Sequence, residues 1–379
     1  MKKNKILHVI TGLGDGGAEA TLVRLCLADK KNEHIVISLM DSGKYGQYLK
    51  DNYVTVEVLN MPKGKVTLKG IIKLYKDIKR IAPDVVQTWM YHADLIGGVT
   101  ARILGIKNIN WGVHHSDLTP ANSKKSTIFI AKICSYLSYF IPKNIIFCAD
   151  SAARVHRKIG YSKRKIKIIY NGYDIKLFDR NNNYSASVKK EFHISEGTIL
   201  LGMVSRFHPF KDHENLIKAL GFLKRKGYSF KCILAGAGML PGNKSLENWI
   251  RCSNVEDEVL LIGSRNDIPR IMNGIDIHLL SSSSEAFPNV LNEAMACGTP
   301  CVTTNVGDAA VIVGKTGWVT NAMDPINFSK LIEEAIDEMT LNSKLWEKRC
   351  LASRVRIIEN YTVQLMKEKY VSVWLDELV

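Results

Sequence analysis

Short apolar runs alternate with longer amphipathic stretches along most of the chain. Runs such as residues 5–11 and 84–88 are typical of buried strands, whereas residues 68–81 place apolar side chains at the spacing of a helix. Strands that alternate with helices predict parallel sheets covered by helices, and therefore an α/β fold built from Rossmann-like domains. The other predicted strands are residues 34–39, 54–59, 108–113, 145–149, 165–169, 198–204, 231–235, 258–263, 275–280 and 301–304. The other predicted helices are residues 20–27, 119–142, 151–159, 289–297, 327–339 and 355–375, and a helix that follows residues 205–213 and ends at about residue 223.

Two domains are expected, because a chain of 379 residues exceeds what one hydrophobic core usually supports. The polar stretch 181–187 is typical of a linker, and Asn171 followed by Gly172 favours a turn just before it. The predicted parts are an N-terminal domain at residues 1–177, a C-terminal domain at residues 178–354 and a terminal helical segment at residues 355–379.

The stretch 281–306, with the sequence SSSSEAFPNVLNEAMACGTPCVTTNV, carries the most chemical information. It follows a predicted strand, and Pro288 and Gly298 suit the start and the end of a helix between them. Glu285 lies in the loop before this helix, and Glu293 lies about one turn into it. The carboxylate of Glu293 could therefore accept two hydrogen bonds from a ribose diol.

The start of this helix is also a candidate anion site. First-turn amides have no acceptor within the helix, and the helix dipole favours negative charge there. The amides in question are those of Asn289, Val290 and Leu291. A solvated Glu on an ordinary helix is the alternative for each of the two acidic residues taken singly.

The order Glu285-x7-Glu293 followed by Ala-Met-Ala-Cys-Gly-Thr-Pro resembles the donor-binding signature of the retaining GT-B glycosyltransferases of group 1. The resemblance implies a GT-B fold, in which two Rossmann-like domains face an interdomain cleft. It also implies that Glu285 contacts the donor sugar, Glu293 the nucleotide ribose, and the amides of residues 289–291 the diphosphate. Phe287 is included among the expected donor-binding residues.

Further donor-binding residues are expected after two strands of the second domain. Arg206 and Lys211 lie at a strand end and a helix start, where two cations could stabilise a diphosphate leaving group. Their spacing matches the Arg-x4-Lys motif of the same family, although ordinary surface charges are the alternative. Ser264 and Arg265 follow another strand, and in relatives the backbone there lines the nucleobase.

A glycine-rich loop follows the first predicted strand. Its spacing Gly12-x-Gly14 matches part of a dinucleotide fingerprint, but the third glycine is misplaced. The continuation Gly16-Gly17-Ala-Glu19 is similar to a loop that the family places near the donor phosphates and the acceptor. A tight turn without a ligand is the alternative.

Histidines follow two more strands of the first domain, where α/β sheets place ligand contacts. Residues 87–97 resemble the surface-polysaccharide branch of the family, which predicts that His92 and Asp94 face the acceptor, with a core or capping role as the alternative for His92. In relatives a histidine after the next strand lies beside the reacting sugar. Aligning the strand ends selects His114, whereas a slip of one residue selects His115, and successive residues point to opposite faces. The expected catalytic residues are therefore His114 or His115, with Arg206, Lys211 and Glu285.

The family resemblance also covers the connections between the domains. Residues 170–174 with Phe178 resemble the interdomain hinge of the family. Relatives use a C-terminal helix such as residues 355–375 to return to the first domain.

No metal or other cofactor is predicted. The eight cysteines are scattered without a Cys-x-x-Cys pair and are expected to be reduced, packed thiols. No Asp-x-Asp occurs, so the cations Arg206 and Lys211 and the helix amides are expected to take the place of a metal at the diphosphate.

The net charge of +15 lies in the first half of the chain, where residues 1–175 contain 28 Lys and Arg against 13 Asp and Glu. No nucleic-acid-binding pattern accompanies this charge, so anionic lipid headgroups or a diphosphate-bearing acceptor are the preferred partners. Residues 119–142 predict a basic amphipathic helix that either packs on the domain or lies in the membrane interface.

The chain opens without a signal-peptide pattern, and no apolar run approaches the ~20 residues of a membrane span. We predict a cytoplasmic protein that is peripheral on the inner face of the cell membrane.

The predicted function is retaining transfer of a hexose or N-acetylhexosamine from a nucleotide sugar, with a UDP-sugar favoured. The predicted acceptor is a polyprenyl-diphosphate-linked saccharide in surface-polysaccharide assembly. One alternative is a sugar-nucleotide epimerase of the same fold, which needs no acceptor. The other is a noncatalytic protein that binds membrane surfaces.

Overall fold

The computed structural model describes residues 3–119, 123–181 and 183–376. The chain forms two compact units, which we call the first and the second domain. The first domain comprises Met1–Gly172 together with Val363–Val379, and the second comprises Tyr173–Thr362.

A seven-stranded parallel sheet with the order β3-β2-β1-β4-β5-β6-β7 forms the centre of the first domain. Its strands β4 and β5 are buried throughout, and β1 is buried except at Lys5, as expected for a sheet covered on both faces. The order reverses between β1 and β4, and in such sheets ligands bind at the carboxyl ends of the strands beside this point. The strands are β1 (Lys5–Ile10), β2 (Glu33–Ser38), β3 (Thr55–Val58), β4 (Val85–Trp89), β5 (Ile109–Val113), β6 (Asn144–Phe147) and β7 (Ile166–Ile168).

The helices of the first domain come from both ends of the chain. Three aromatic or thioether side chains of the last helix, Met366, Tyr370 and Trp374, belong to the same hydrophobic core as residues of β1 and of the first helix. The C-terminal segment is therefore a structural part of the first domain. The helices are α1 (Gly17–Ala28), α2 (Tyr45–Asp51), α3 (Leu68–Ile81), α4 (Tyr91–Ile103), α5 (Lys125–Leu137), α6 (Asp150–Lys158) and α15 (Val363–Leu375).

The second domain has a six-stranded parallel sheet with the order β10-β9-β8-β11-β12-β13. The order reverses between β8 and β11, so the loops after these two strands meet at one edge of the sheet. The strands are β8 (Ile199–Val204), β9 (Phe230–Ala235), β10 (Val259–Gly263), β11 (Ile277–Leu280), β12 (Cys301–Thr304) and β13 (Trp318–Thr320). The helices are α7 (Asn183–Glu191), α8 (His213–Arg225), α9 (Lys244–Cys252), α10 (Ile268–Gly274), α11 (Asn289–Ala296), α12 (Ala309–Val313), α13 (Pro325–Leu341) and α14 (Ser343–Asn360).

Three of the predicted segments differ in structure from the sequence-based expectations. Most of the polar stretch expected to be a linker belongs to α7, which packs on α10. The basic helix expected at residues 119–142 is confined to α5 and its C-terminal turn. Its expected start at residues 120–122 lies outside the described residues.

The expected C-terminal helix is divided into α14 and α15. The break coincides with Tyr361, whose carbonyl accepts a hydrogen bond from the Tyr173 amide at 2.9 Å, and with Thr362, which bridges to Tyr173. Because this backbone pairs with another segment, the helical hydrogen bonds stop there. The chain passes between the domains after Gly172 and after Thr362, rather than at the expected residues 178 and 355.

Within the described ranges, no helix combines the length and the apolar character that a membrane crossing requires.

Candidate functional site

The loops after β8 and β11 are joined at the carboxyl edge of the second sheet. The amide of Ser283 donates to the Phe210 carbonyl at 2.8 Å, and the Ser281 hydroxyl donates to the Lys211 carbonyl at 2.9 Å. These bonds hold the segment that contains Glu285 beside the segment that contains Lys211.

Lys211 and Glu285, both predicted site residues, form an ion pair in this structure. The Ser282 hydroxyl also donates to Glu285 Oε1, at 2.8 Å. The side chains of Lys211 and Glu285 are 20% and 13% exposed, so the pair is largely shielded from water. Partial shielding strengthens charge interactions, and a ligand that reaches either group must compete with the other.

The cations at this edge create a positive field. His208 lies between Arg206 and Lys211 in the sequence, and its pKa is lowered by burial and then by these two cations. The same field reaches the strand below, where burial and then Lys211 lower the pKa of His278 to about 3. Arg206 itself is exposed. An anionic group that approaches this edge would be attracted by this field.

Helix α11 begins at Asn289, directly after Pro288, so the proline occupies the N-cap position rather than the first turn. The amide of Leu291 differs from the expectation, because it donates to the Pro288 carbonyl at 3.2 Å. Asn289, Val290 and Glu293 are partly exposed, whereas Phe287 is buried.

Tyr173 fixes the start of α11, a contact that the sequence did not indicate. The Tyr173 hydroxyl donates to Asn289 Oδ1, and the Tyr173 side chain is fully buried. Phe287 packs against Tyr361 with ring centroids 5.7 Å apart. Residues near both ends of the second domain therefore support the predicted donor-binding loop.

At Gly307 the chain passes very close to the backbone of Glu285 and Ala286, which only a glycine allows. A Cβ atom at this position would lie 2.5 Å from the carbonyl oxygens of both Glu285 and Ala286, and φ is +56°. No side chain is compatible with that spacing, so Gly307 sets the position of the loop.

Ser264 and Arg265 line an open recess of about 430 Å³ together with Asn266 and Asp267. The Arg265 guanidinium forms two 2.8 Å bonds with Asp267, and these bonds raise the pKa of Arg265. It also pairs with Glu191 at 2.9 Å. Because the side-chain charge is neutralised internally, the backbone is the part of this segment that remains suited to ligand contact.

In the first domain, His114 and His115 differ in their surroundings. His115 Nε2 lies 3.0 Å from the Ser123 hydroxyl, whereas His114 Nε2 is buried and has no hydrogen-bond partner among the described residues. His114 stacks on Trp89, with ring centroids 5.2 Å apart. Burial and then Arg24 lower the pKa of His114 to about 4, so its imidazole is neutral at pH 7. The structure favours His114 as the residue with an available nitrogen.

The two predicted acceptor residues also differ. His92 is partly exposed at the start of α4, and burial lowers its pKa. Asp94 is fully buried and accepts a hydrogen bond from the Thr88 hydroxyl, and burial raises its pKa well above its ordinary range. Asp94 therefore does not reach the domain surface, contrary to the expectation that it faces an acceptor.

Gly16 and Gly17 form the N-cap and the first residue of α1. A Cβ atom at Gly16 would lie 2.3 Å from Glu19 Oε2, so the Glu19 carboxylate lies over the start of this helix. That placement suits the positive end of the helix dipole. A phosphate bound at the same position would have to displace the carboxylate.

One group of residues in the described part of the chain brings possible metal-ligand atoms within 4.8 Å of one another. It consists of His8, Cys26 and His34, all buried in the first domain. The sequence pattern did not single out this group, because the spacing of the three residues matches no common metal-ligand motif.

Two family profiles match consecutive parts of the chain. The Glycosyltransferase Family 4 profile matches residues 15–177, and the profile of glycosyl transferases group 1 matches residues 186–349.

Two bacterial relatives align over almost the whole chain. The Escherichia coli UDP-Gal:alpha-D-GlcNAc-diphosphoundecaprenol alpha-1,3-galactosyltransferase is 24% identical over 394 residues, covering 100% of this chain and 98% of its own. The Staphylococcus aureus capsular polysaccharide biosynthesis glycosyltransferase CapM is 23% identical over 394 residues, covering 99% and 97%.

The crystal structure of Anabaena Alr3699/HepE in complex with UDP has a TM-score of 0.86 and 21% identity, covering 98% of this chain and 100% of that one. The fold is thus that of a GT-B glycosyltransferase with two Rossmann-like domains. The chain belongs to the glycosyl transferases group 1 and is an enzyme of that class. The predicted family, fold class and enzyme class are confirmed.

Proposed function

We propose that the enzyme transfers a hexose or N-acetylhexosamine, from a UDP-sugar in preference to other nucleotide sugars, to a polyprenyl-diphosphate-linked saccharide. The pairing of Lys211 with Glu285 beside Arg206 carries this proposal. A cation for the leaving diphosphate and a carboxylate for the sugar hydroxyls lie side by side there. The acceptor class is supported by the Escherichia coli relative, whose name gives a diphosphoundecaprenol-linked substrate.

The proposed reaction retains the configuration at the anomeric carbon. The bond from this carbon to the diphosphate breaks while the acceptor oxygen attacks from the same face. The acceptor proton passes to the departing diphosphate, and nucleoside diphosphate is released. Lys211 and Arg206 stabilise the charge that develops on the diphosphate, which is the largest contribution that a preorganised site usually makes.

No metal ion takes part in this proposal. The two cations and the start of α11 supply positive charge at the diphosphate, where other transferases use a divalent ion. Activity should therefore persist in excess EDTA, and strict dependence on added magnesium would contradict the proposal.

His114 is proposed to act on the sugar as a neutral imidazole. Its buried Nε2 has no partner among the described residues, and its pKa of about 4 keeps the ring uncharged at pH 7. A neutral ring can donate one hydrogen bond to a sugar hydroxyl.

The enzyme is also proposed to bind the inner face of the cell membrane peripherally. Phe129 and Tyr136 on α5 are 65% and 69% exposed, and Tyr139 and Phe140 just beyond it are 55% and 63% exposed. Exposed Lys125 and Lys132 share the helix face with Phe129 and Tyr136, because these four positions follow helical spacing. Aromatic side chains interleaved with lysines match the interface of an anionic bilayer.

Lys211→Ala tests the central proposal. We expect kcat to fall by about a hundredfold or more, the usual cost of removing one preorganised charge-stabilising group. Lys218→Ala is the matched control, because Lys218 also pairs with a glutamate, Glu214, at 2.6 Å but is 53% exposed. Near-normal turnover in Lys211→Ala, with the fold intact by circular dichroism, would refute the assignment.

Product analysis separates the proposed transfer from the two alternatives. With a lipid-linked acceptor present, we expect nucleoside diphosphate and an elongated acceptor. Conversion of the donor alone into an epimer would support an epimerase instead. Absence of nucleoside diphosphate with every sugar nucleotide tried would support a noncatalytic binding protein.

A further inference from the structure

We propose that Trp89 is a positioning residue for His114, and that buried hydrogen bonds from Trp89 to His8 and from His8 to His34, beside the Asp29 carboxylate, help to hold Trp89 in place. This inference rests on the proposed role of His114. Trp89 is the last residue of β4 and is fully buried. Its ring stacks on the His114 ring at 5.2 Å with an interplanar angle of 30°. The plane of the imidazole is therefore set by the plane of the indole.

The orientation of the indole is set by one hydrogen bond and by stacking on Tyr370, with ring centroids 5.9 Å apart. Trp89 Nε1 donates to His8 Nδ1 at 3.1 Å. An indole nitrogen is only a donor, so His8 Nδ1 must accept. Burial, and then the neighbouring His34, lower the pKa of His8 well below its ordinary value, and His8 is neutral. Its proton therefore resides on Nε2.

The proton on His8 Nε2 continues the chain. His8 Nε2 lies 2.9 Å from His34 Nδ1, so His8 donates and His34 accepts. His34 then carries its own proton on Nε2, which lies 3.2 Å from Asp29 Oδ2. Asn32 donates to the same carboxylate oxygen at 2.7 Å. Although burial opposes it, these bonds lower the pKa of Asp29 and keep it ionised. Trp89 and His8 thus each donate to one assigned acceptor, and the negative charge of Asp29 lies 3.2 Å from the far nitrogen of His34.

The same assignment argues against a metal ion at His8, Cys26 and His34. An ion would need the lone pair of His8 Nε2, but that nitrogen carries the proton shared with His34. Burial also raises the pKa of the Cys26 thiol, which disfavours the thiolate that binds metals. The cluster is therefore better explained as a support for Trp89 than as a metal site.

Loss of Trp89 should slow the reaction by misplacing the His114 ring. If the indole is replaced by the smaller ring of phenylalanine, the imidazole loses part of the surface on which it stacks, and its plane is no longer fixed. A misplacement of about 1 Å in a reacting group can cost on the order of a hundredfold in rate. Binding of the nucleotide sugar depends on the second-domain loops in the proposal above, so the donor KM should not change.

Trp374 provides a matched control. It is also fully buried, and its Nε1 also donates one hydrogen bond, to Gln87 Oε1 at 3.0 Å. It packs against His8 at 5.7 Å. Replacing either tryptophan with phenylalanine keeps an aromatic ring and removes one buried hydrogen bond of the same kind. Only Trp89 stacks on His114.

The experiment compares the Trp89→Phe and Trp374→Phe variants of the full chain. We expect Trp89→Phe to lower kcat about tenfold or more, with the donor KM unchanged. Trp374→Phe should lose similar thermal stability but retain kcat within about twofold, because a loss of stability alone does not change the rate of the folded enzyme. Equal losses of kcat in both variants, or normal kcat in Trp89→Phe, would overturn the proposal.

A second measurement separates this inference from the role of His114 itself. If His114→Ala is as active as the wild type, the proposed catalytic role of His114 fails. The positioning role is then judged by nuclear magnetic resonance of labelled histidine side chains. The pKa of His114 should rise toward 6.5 in Trp89→Phe, because water reaches the loosened ring, and should stay near 4 in Trp374→Phe. An unchanged His114 titration in Trp89→Phe would refute the positioning role whatever the activity.

Discussion

His278 is a titratable group in the core of the second domain and gives a quantitative prediction. It lies in β11 and is fully buried, and neither ring nitrogen has a hydrogen-bond partner among the described residues. Burial, and secondarily Lys211, lower its pKa from 6.5 to about 3. The folded domain therefore holds a neutral imidazole at pH values where the unfolded chain holds a charged one.

The sign of the effect follows from proton linkage. Above pH 6.5 both states are neutral, and the folded domain keeps its full stability. As the pH falls from 6.5 toward 3, the unfolded state binds a proton that the folded state does not, and stability is lost. Each pH unit in this window costs ~1.4 kcal/mol. Between pH 7 and pH 5 this one side chain should lower the free energy of unfolding by about 2 kcal/mol.

His278→Leu should remove this dependence. Leucine fills a similar volume and leaves no unpartnered nitrogen, and a buried unsatisfied polar group costs about 1–3 kcal/mol. We therefore expect the variant to be more stable than the wild type at pH 7, and the difference to grow by about 2 kcal/mol at pH 5. Hydrogen exchange of peptides from β8, β11 and β12, corrected for intrinsic rates at each pH, measures the second domain alone.

His193→Asn is the control, because it also removes one histidine from the second domain. His193 is exposed and has a positive φ of +54°, which asparagine tolerates. Its exchange profile should follow the wild type at both pH values. Two results together would contradict this prediction: less protection from exchange in His278→Leu than in the wild type at pH 7, and an equal loss of protection in both proteins between pH 7 and pH 5. They would show that His278 has a hydrogen-bond partner or a charge in the folded domain.

Two further predictions concern the predicted donor loop and the membrane. Tyr173→Phe removes the hydroxyl that holds Asn289, and a lost buried hydrogen bond of ~1.4 kcal/mol should raise the donor KM about tenfold with kcat little changed; an unchanged donor KM would contradict this. Replacing Phe129 and Tyr136 together with serine should reduce sedimentation with anionic vesicles severalfold, because both side chains are exposed on α5. Leu341→Ser, which removes an apolar side chain that is 83% exposed in the second domain, should not; equal losses would indicate nonspecific adsorption.

Much of the architecture could be predicted because apolar runs and helical periodicity act locally. Helix α3 and strand β12 begin and end at the predicted residues, since each is bounded by turn or capping residues. The Thr67 hydroxyl, for example, caps α3 by accepting from the Gly70 amide. Helix α7 was missed because its sequence is rich in asparagine and serine, which favour loops, and tertiary packing on α10 overrides that preference.

The site was less predictable where it depends on contacts between distant residues. The ends of β8 and β11 could be identified, but the ion pair of Lys211 with Glu285 requires the order of strands in the sheet. The burial of Asp94 depends on Thr88 and on the adjoining strand β5. Tyr173 and Asn289 are 116 residues apart, so no local pattern connects them. A polar residue within a predicted buried strand, such as His8, was the remaining sequence signal of such contacts. It indicates a hydrogen-bond partner elsewhere in the chain, because a buried polar group usually has one.

The position of α15 has a consequence for how the protein is made. Met366, Tyr370 and Trp374 complete the core that β1 and α1 begin. The ribosome delivers these residues after those of the second domain, so the first domain cannot complete its core until the chain has been made as far as α15. All residues of the second domain have been synthesised once the ribosome has passed Thr362, so this domain can fold before the first domain is complete. Deletion of α15 should therefore destabilise the domain that was translated first.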